Sequence, residues 1–142
     1  MEYVLTAKNL SKQYGHFKAL NRLSMHVPKG AIYGFVGKNG AGKTTLIRLI
    51  CGLQTPTEGE YSLFGISNGK KGMEKSRRRM GAVVETPSIY LDMTAEDNLK
   101  AQFRTLGLPS FAQIPELLNL VGLAHTGKKK AKHFSLGMRQ IL

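Results

Sequence analysis

The sequence predicts an α/β fold: a strand-rich first third, a strand–loop–helix unit, and a mainly helical second half. Three observations carry this. The run Ala31-Ile32-Tyr33-Gly34-Phe35-Val36 is apolar enough for a strand buried on both faces. A glycine-rich stretch follows it directly, and beyond Lys43 the residues Leu46, Ile47, Leu49, Ile50 and Leu53 recur at helical spacing. Past residue 94 the apolar residues keep that helical spacing.

Each element has its own signal. Glu2 to Ala7 is a short β-prone run, and Ala19 to Val27 alternates imperfectly around Leu20, Leu23, Met25 and Val27 before a turn at Pro28-Lys29-Gly30. Gly52 is a stop for the helix that begins at Lys43. Thr55-Pro56-Thr57-Glu58-Gly59 predicts a turn and Glu60 to Phe64 a strand. Ser67 to Met80 has few apolar residues and reads as loop plus a short helix, and Gly81-Ala82-Val83-Val84-Glu85 as a second buried strand. Thr94 caps the next helix, with Asp97 three residues on in a capping-box-like place. Ala95, Leu99, Phe103 and Leu106 form its stripe, Gly107 its end, and Pro109 forbids continuation. Ile114, Leu117, Leu118 and Val121 predict one more helix, ending at Gly122.

Composition narrows the class. The chain has 142 residues, 42% of them hydrophobic, which excludes a disordered polymer and predicts a packed core. One Cys makes no internal disulfide, and neither a signal peptide nor an unbroken apolar span occurs, so the expectation is a cytoplasmic protein. The net charge of +12 is concentrated in two runs. Lys70, Lys71, Lys75, Arg77, Arg78 and Arg79 stand against Glu74 alone, and Lys128, Lys129, Lys130, Lys132 and Arg139 against no acid. Such runs are solvated loops or surfaces for anions, and among their cations Phe134 is the one Phe, Tyr or Trp, too little to stack successive bases, so no direct nucleic-acid contact is expected.

The chemistry lies in Gly37-Lys38-Asn39-Gly40-Ala41-Gly42-Lys43-Thr44-Thr45. Glycine, four residues, then Gly-Lys-Thr between a strand and a helix is the pattern of a phosphate-binding loop. Its glycines let successive N–H groups converge on one anion, and the helix that starts there adds its N-terminal dipole. Lys43 supplies a point charge to the β- and γ-phosphates, and the Thr44 hydroxyl is a ligand for Mg²⁺.

Four further stretches resemble the ATP-binding subunits of ABC transporters. Ser11-Lys12-Gln13-Tyr14-Gly15 is similar to that family's adenine-stacking segment, which implies that the Tyr14 ring lies on the base. Gly52-Leu53 and Pro56-Thr57-Glu58-Gly59 match the segment just past the family's phosphate loop and its helix. Met80-Gly81-Ala82-Val83-Val84-Glu85 resembles the strand that usually ends in Gln, a residue that contacts Mg²⁺ and the attacking water. Glu85 stands there instead, either as a metal ligand or as an acid at a strand end. Thr86 to Leu99 continues the likeness into a helical subdomain.

Phe134-Ser135-Leu136-Gly137-Met138-Arg139-Gln140 resembles the family signature Leu-Ser-Gly-Gly-Gln, departing at Phe134, Leu136 and Met138 and keeping Ser135 and Gly137. In the family this segment opens a helix and grips the γ-phosphate of ATP held by the facing subunit. With Glu85, the variant looks most like subunits of antibiotic- or lantibiotic-resistance exporters.

The resemblance implies a P-loop NTPase fold with an antiparallel β subdomain and a helical subdomain. Residues 1–85 would form the β subdomain and P-loop core, and residues 86–142 the helical part. It implies ATP and Mg²⁺ as ligands and a homo- or heterodimer with another ATP-binding subunit. It also implies a membrane permease partner docked near Ile89 to Leu99, at the cytoplasmic face of the cell membrane. The family's next elements are a strand ending in Asp, a Glu that activates water, and a switch His. None occurs in that context up to Leu142, and His16, His26, His125 and His133 all precede the place for the switch. The expectation is therefore a domain truncated before that strand, with an exposed apolar edge, that binds ATP but is inactive in hydrolysis by itself. The alternatives are a truncated fragment without activity and a soluble ABC-type protein acting on ribosomes or nucleic acid.

Overall fold

The computed structural model describes residues 2–84 and 86–142. The chain forms two compact units that divide between Val84 and Glu85.

The first unit is built on an antiparallel sheet. Strands β1 (Tyr3–Tyr14) and β2 (Phe17–Pro28) form a long hairpin, and β3 (Glu58–Leu63) and β4 (Ile66–Ser67) complete the order β2-β1-β3-β4. β1 pairs with β2 from Tyr3↔Pro28 to Tyr14↔Phe17, and with β3 from Leu5↔Leu63 to Ser11↔Glu58. Register shifts interrupt the hairpin, and at one of them the Ser11 hydroxyl accepts the Arg22 N–H at 2.9 Å. The strands run well beyond the β-prone stretches that composition marks, because pairing partners carry polar residues such as Lys12 and Gln13 into the ladder. Helix α1 (Lys43–Ile50) buries Leu46 and Leu49 against the sheet, in a core with Ala7, Leu10, Leu20, Met25, Tyr61, Leu63 and Met73. The short helix α2 (Met73–Arg77) follows β4 and contributes Met73 to that core.

Two expected strands are absent among the described residues. Residues 31–36 are irregular, with Ile32 and Val36 fully exposed, and residues 81–84 are likewise outside any strand. A strand exists only as one side of a hydrogen-bond ladder, and no described residue pairs with either segment. Their apolar character suits a buried strand, yet they have no neighbour on which to be buried.

The second unit packs α3 (Ala95–Leu106), α4 (Ile114–Leu120) and α5 (Leu136–Ile141) with two short 3₁₀ turns, Ala124–Thr126 and Ala131–His133. Its core is Ala95, Phe103, Ile114, Leu118, Leu123, Ala131 and Phe134. Thr94 caps α3 as its sequence predicts. Its hydroxyl accepts the Asp97 N–H at 3.1 Å and donates to the Asp97 carboxylate at 2.8 Å, and Gly107 closes the helix at φ 70°. The segment before α3 is tied to residues 130–132 by the Thr94↔Lys130 bridge and by Lys132 N–H to Leu91 C=O at 2.8 Å. Lys132 also donates to Asp92 at 2.9 Å, and that hydrogen bond holds the Asp92 carboxyl below its usual range. The bridge is therefore present at neutral pH and lost as pH falls through that depressed value.

Asn98 is the polar knot of this unit. Only 7% exposed, its side-chain Oδ1 accepts from Tyr90 N–H at 2.7 Å, while Nδ2 donates to Tyr90 C=O at 3.0 Å and Thr94 C=O at 2.9 Å. Asn98→Ala removes three partners at once from half-buried backbone. It should lower stability by about 2 kcal/mol, read as a drop in the denaturation midpoint with unchanged slope.

Candidate functional site: the phosphate loop

The loop at residues 37–42 ends on Gly42, which takes φ 89° and serves as the N-cap of α1. Within it Ala41 N–H reaches Lys38 C=O at 3.1 Å, and Gly40 has φ 82°. Lys43, the first helical residue, curls back: its ammonium donates to Gly37 C=O and, at 2.7 Å, to Lys38 C=O. The charge is thereby held at the mouth of the loop. Thr44 and Thr45 follow, half-buried, in the first turn. Leu46 is the first residue whose N–H finds a carbonyl within this helix start, Gly42 C=O at 2.9 Å. The amides before it point out of the helix end, where an anion is favoured. No acidic residue stands in the first turn to oppose one.

These groups suit a nucleotide phosphate with its metal. The ammonium and the amides complement oxyanions, and the Thr44 hydroxyl is a hard oxygen of the kind Mg²⁺ takes. Among the described residues no group of three or more His, Cys, Asp or Glu could hold a metal ion. Asn39 and Lys38 are exposed at the rim.

Tyr14 ends β1 at the hairpin tip, paired with Phe17. Its ring is 43% exposed, lies under the Lys12 ammonium at 5.2 Å, and its hydroxyl donates to Gln54 Oε1. Lys12 in turn donates to Thr55 C=O at 2.8 Å, and Gln13 N–H to the Thr57 hydroxyl at 3.0 Å. The hairpin tip is thus pinned to the segment just past α1, and Tyr14 shares one unit with the phosphate loop. Gln54 as its partner, and Thr55 as the partner of Lys12, have no signature in the sequence, because these contacts join residues about forty positions apart.

In the second unit Ser135 is the N-cap of α5, accepting Met138 N–H at 3.2 Å. Arg139 donates to Ala131 C=O at 3.2 Å and Lys132 C=O at 2.7 Å, fixing the helix on the preceding turn. Leu136 is 64% exposed and a side chain at Gly137 would meet open space, so this helix start faces solvent. Glu85 lies outside the described residues.

Comparison with known proteins gives one answer. Residues 20–142 match the family described as ABC transporter. The chain is 42% identical over 142 residues to the bacitracin transport ATP-binding protein BcrA of Bacillus licheniformis, covering all of this chain and 46% of that protein. It is 38% identical over 139 residues to the lantibiotic transport ATP-binding protein SrtF of Streptococcus pyogenes, covering 98% of this chain and 58% of that one. The chain therefore spans about half the length of these relatives. A solved ATP-binding subunit of an ABC transporter superposes with a TM-score of 0.77 at 31% identity, covering 97% of this chain and 58% of its own. A nucleotide-free ATP-binding cassette superposes with a TM-score of 0.76 at 26% identity, covering 100% and 65%. With residues 20–142 matched and these relatives alike along the whole chain, the protein belongs to the ABC transporter family, within its ATP-binding domain.

Proposed function

We propose that this chain supplies the nucleotide cradle of an exporter's ATP-binding subunit, one that couples Mg·ATP to removal of a drug or antimicrobial peptide. The observation that carries the reading is the Lys43 ammonium, poised on the Gly37 and Lys38 carbonyls at the N-terminus of α1. In this reading residues 37–45, that is Gly37, Lys38, Asn39, Gly40, Ala41, Gly42, Lys43, Thr44 and Thr45, wrap the β- and γ-phosphates. Thr44 and Glu85 hold Mg²⁺, which supplies neutralisation of the phosphate charge. Tyr14 offers its exposed ring to adenine. Ser135 and Gly137 form the half-site that clamps ATP bound by a second ATP-binding subunit, identical or not. The division is residues 1–85 for the nucleotide core and 86–142 for the helical part, the latter docking on a permease at the cytoplasmic face.

The export direction and cargo class rest on the relatives named for bacitracin and lantibiotic transport. Hydrolysis is assigned to the whole protein, with Lys43 and Glu85 at the reacting phosphate. Deleting the gene should lower the inhibitory concentration of bacitracin or of a lantibiotic for the host severalfold. The intact gene should restore it and a Lys43→Ala copy should not. Unchanged susceptibility across such peptides, with the permease still present, would refute the export reading.

A further inference from the structure

The six cations between Lys70 and Arg79 do not form one surface. Lys70, Lys71, Lys75, Arg78 and Arg79 are exposed, whereas Arg77 turns inward. Its Nη2 donates to the Tyr61 hydroxyl at 2.7 Å and its Nε to Ile50 C=O at 3.3 Å. Tyr61 is 2% exposed, and its hydroxyl donates a hydrogen bond to Leu49 C=O at 2.8 Å. One guanidinium and one phenol therefore donate to two of the last carbonyls of α1, Ile50 C=O and Leu49 C=O, the latter also accepting Gly52 N–H at 3.0 Å. The cation also faces the negative end of the helix dipole. The backbone of Gly52 passes so close that a Cβ there would lie 2.4 Å from Arg77 Cζ, at φ +77°.

α1 is eight residues long and carries the phosphate loop at its other end. Its buried leucines, Leu46 and Leu49, resist lifting off the sheet, but apolar contacts are non-directional and leave sliding and rotation soft. Hydrogen bonds at the C-terminal carbonyls supply the missing direction. We infer that Arg77 is a positioning residue for the nucleotide site: through Ile50 and Tyr61 it fixes the axial position and rotation of α1, and with them the placement of Lys43 and Thr44. This rests on the nucleotide-binding reading of the loop.

The test pairs amide hydrogen exchange with Mg·ATP titration on the full-length protein and its Arg77→Ala, Arg77→Lys, Tyr61→Phe and Lys43→Ala variants. Arg77→Ala should speed exchange in the last turn of α1 about tenfold while β1 and β2 stay protected. It should also raise the Kd about tenfold at a temperature where the protein is fully folded. Arg77→Lys should recover part of both, since one ammonium reaches one of the two acceptors. Lys43→Ala should lose binding with α1 exchange unchanged. Gly52→Ala should loosen α1 in the parent protein and somewhat less on top of Arg77→Ala, where the clash is gone and the cost of φ +77° remains.

Unchanged exchange in Arg77→Ala overturns the inference. So does a loosened α1 that binds Mg·ATP as tightly as the parent, which would leave Arg77 a purely structural residue. If Arg77→Ala unfolds globally, β1 and β2 lose protection too, and Arg77→Lys with Tyr61→Phe decide by the same criteria. A parent protein that binds Mg·ATP no better than Lys43→Ala refutes the nucleotide reading instead, and exchange alone then judges the anchoring.

Discussion

Replacing Lys43 with alanine is expected to weaken Mg·ATP binding on the order of a hundredfold and leave the fold intact. The ammonium faces where the β- and γ-phosphates would lie, and charge-assisted hydrogen bonds contribute about 1.5–3 kcal/mol each. A loss of about 3 kcal/mol is roughly a hundredfold in Kd. Among the described residues the side chain's hydrogen bonds go to the carbonyls of its own loop, and it lies outside the hydrophobic core, so the fold depends little on it. Such changes usually shift stability by less than about 0.5 kcal/mol. Calorimetric titration reads the affinity, and a melting curve beside it reads the fold. Lys38→Ala is the matched control: that side chain is exposed at the rim, and only its backbone carbonyl takes part. A Kd for Lys43→Ala within threefold of the parent would sink the phosphate-loop assignment, and with it every role proposed for Thr44.

What the sequence could reveal depended on how local the cause was. Thr94 as a cap, Gly107 and Gly122 as stops, and the glycines of residues 37–42 were all legible, because each effect is decided within a few residues. Residues 31–36 and 81–84 have a strand's composition without forming one, because an apolar run states only that burial is favourable, while a strand also needs a partner to bond. Arg77 was hidden for a different reason. Flanked by Lys75, Arg78 and Arg79, it has the composition of a solvated run, and only Tyr61 and Ile50, sixteen and twenty-seven positions away, distinguish it. Gly52 was visible as a helix stop, but its second role, giving room to that guanidinium, was not. The site divides the same way: the loop itself could be read from spacing, whereas the supports behind it could not.

Gly42→Ala should be the most damaging glycine-to-alanine change within the phosphate loop. Two independent costs meet there. The residue sits at φ +89°, a conformation that costs an L side chain about 1–3 kcal/mol. The added Cβ would also lie 2.2 Å from Ala19 C=O and 3.3 Å from Leu20 Cδ1. Ala19 cannot retreat easily, since it lies on β2 between Lys18 and Leu20, which pair with Gln13 and Lys12 of β1. Relieving the overlap means moving either the hairpin or the start of α1, at about 1–3 kcal/mol more. The melting temperature should therefore fall by roughly 10–40 °C for a unit of this size. Gly40→Ala separates the two costs, because Gly40 has nearly the same φ, +82°, but open space around it. It should show the conformational cost alone and melt well above Gly42→Ala. Equal melting temperatures would mean that backbone strain dominates and that the close approach of loop to hairpin is soft. A clear gap would show that β2 sets where the phosphate loop ends and α1 begins, placing Ala19, a residue with no chemistry of its own, among the determinants of the nucleotide site.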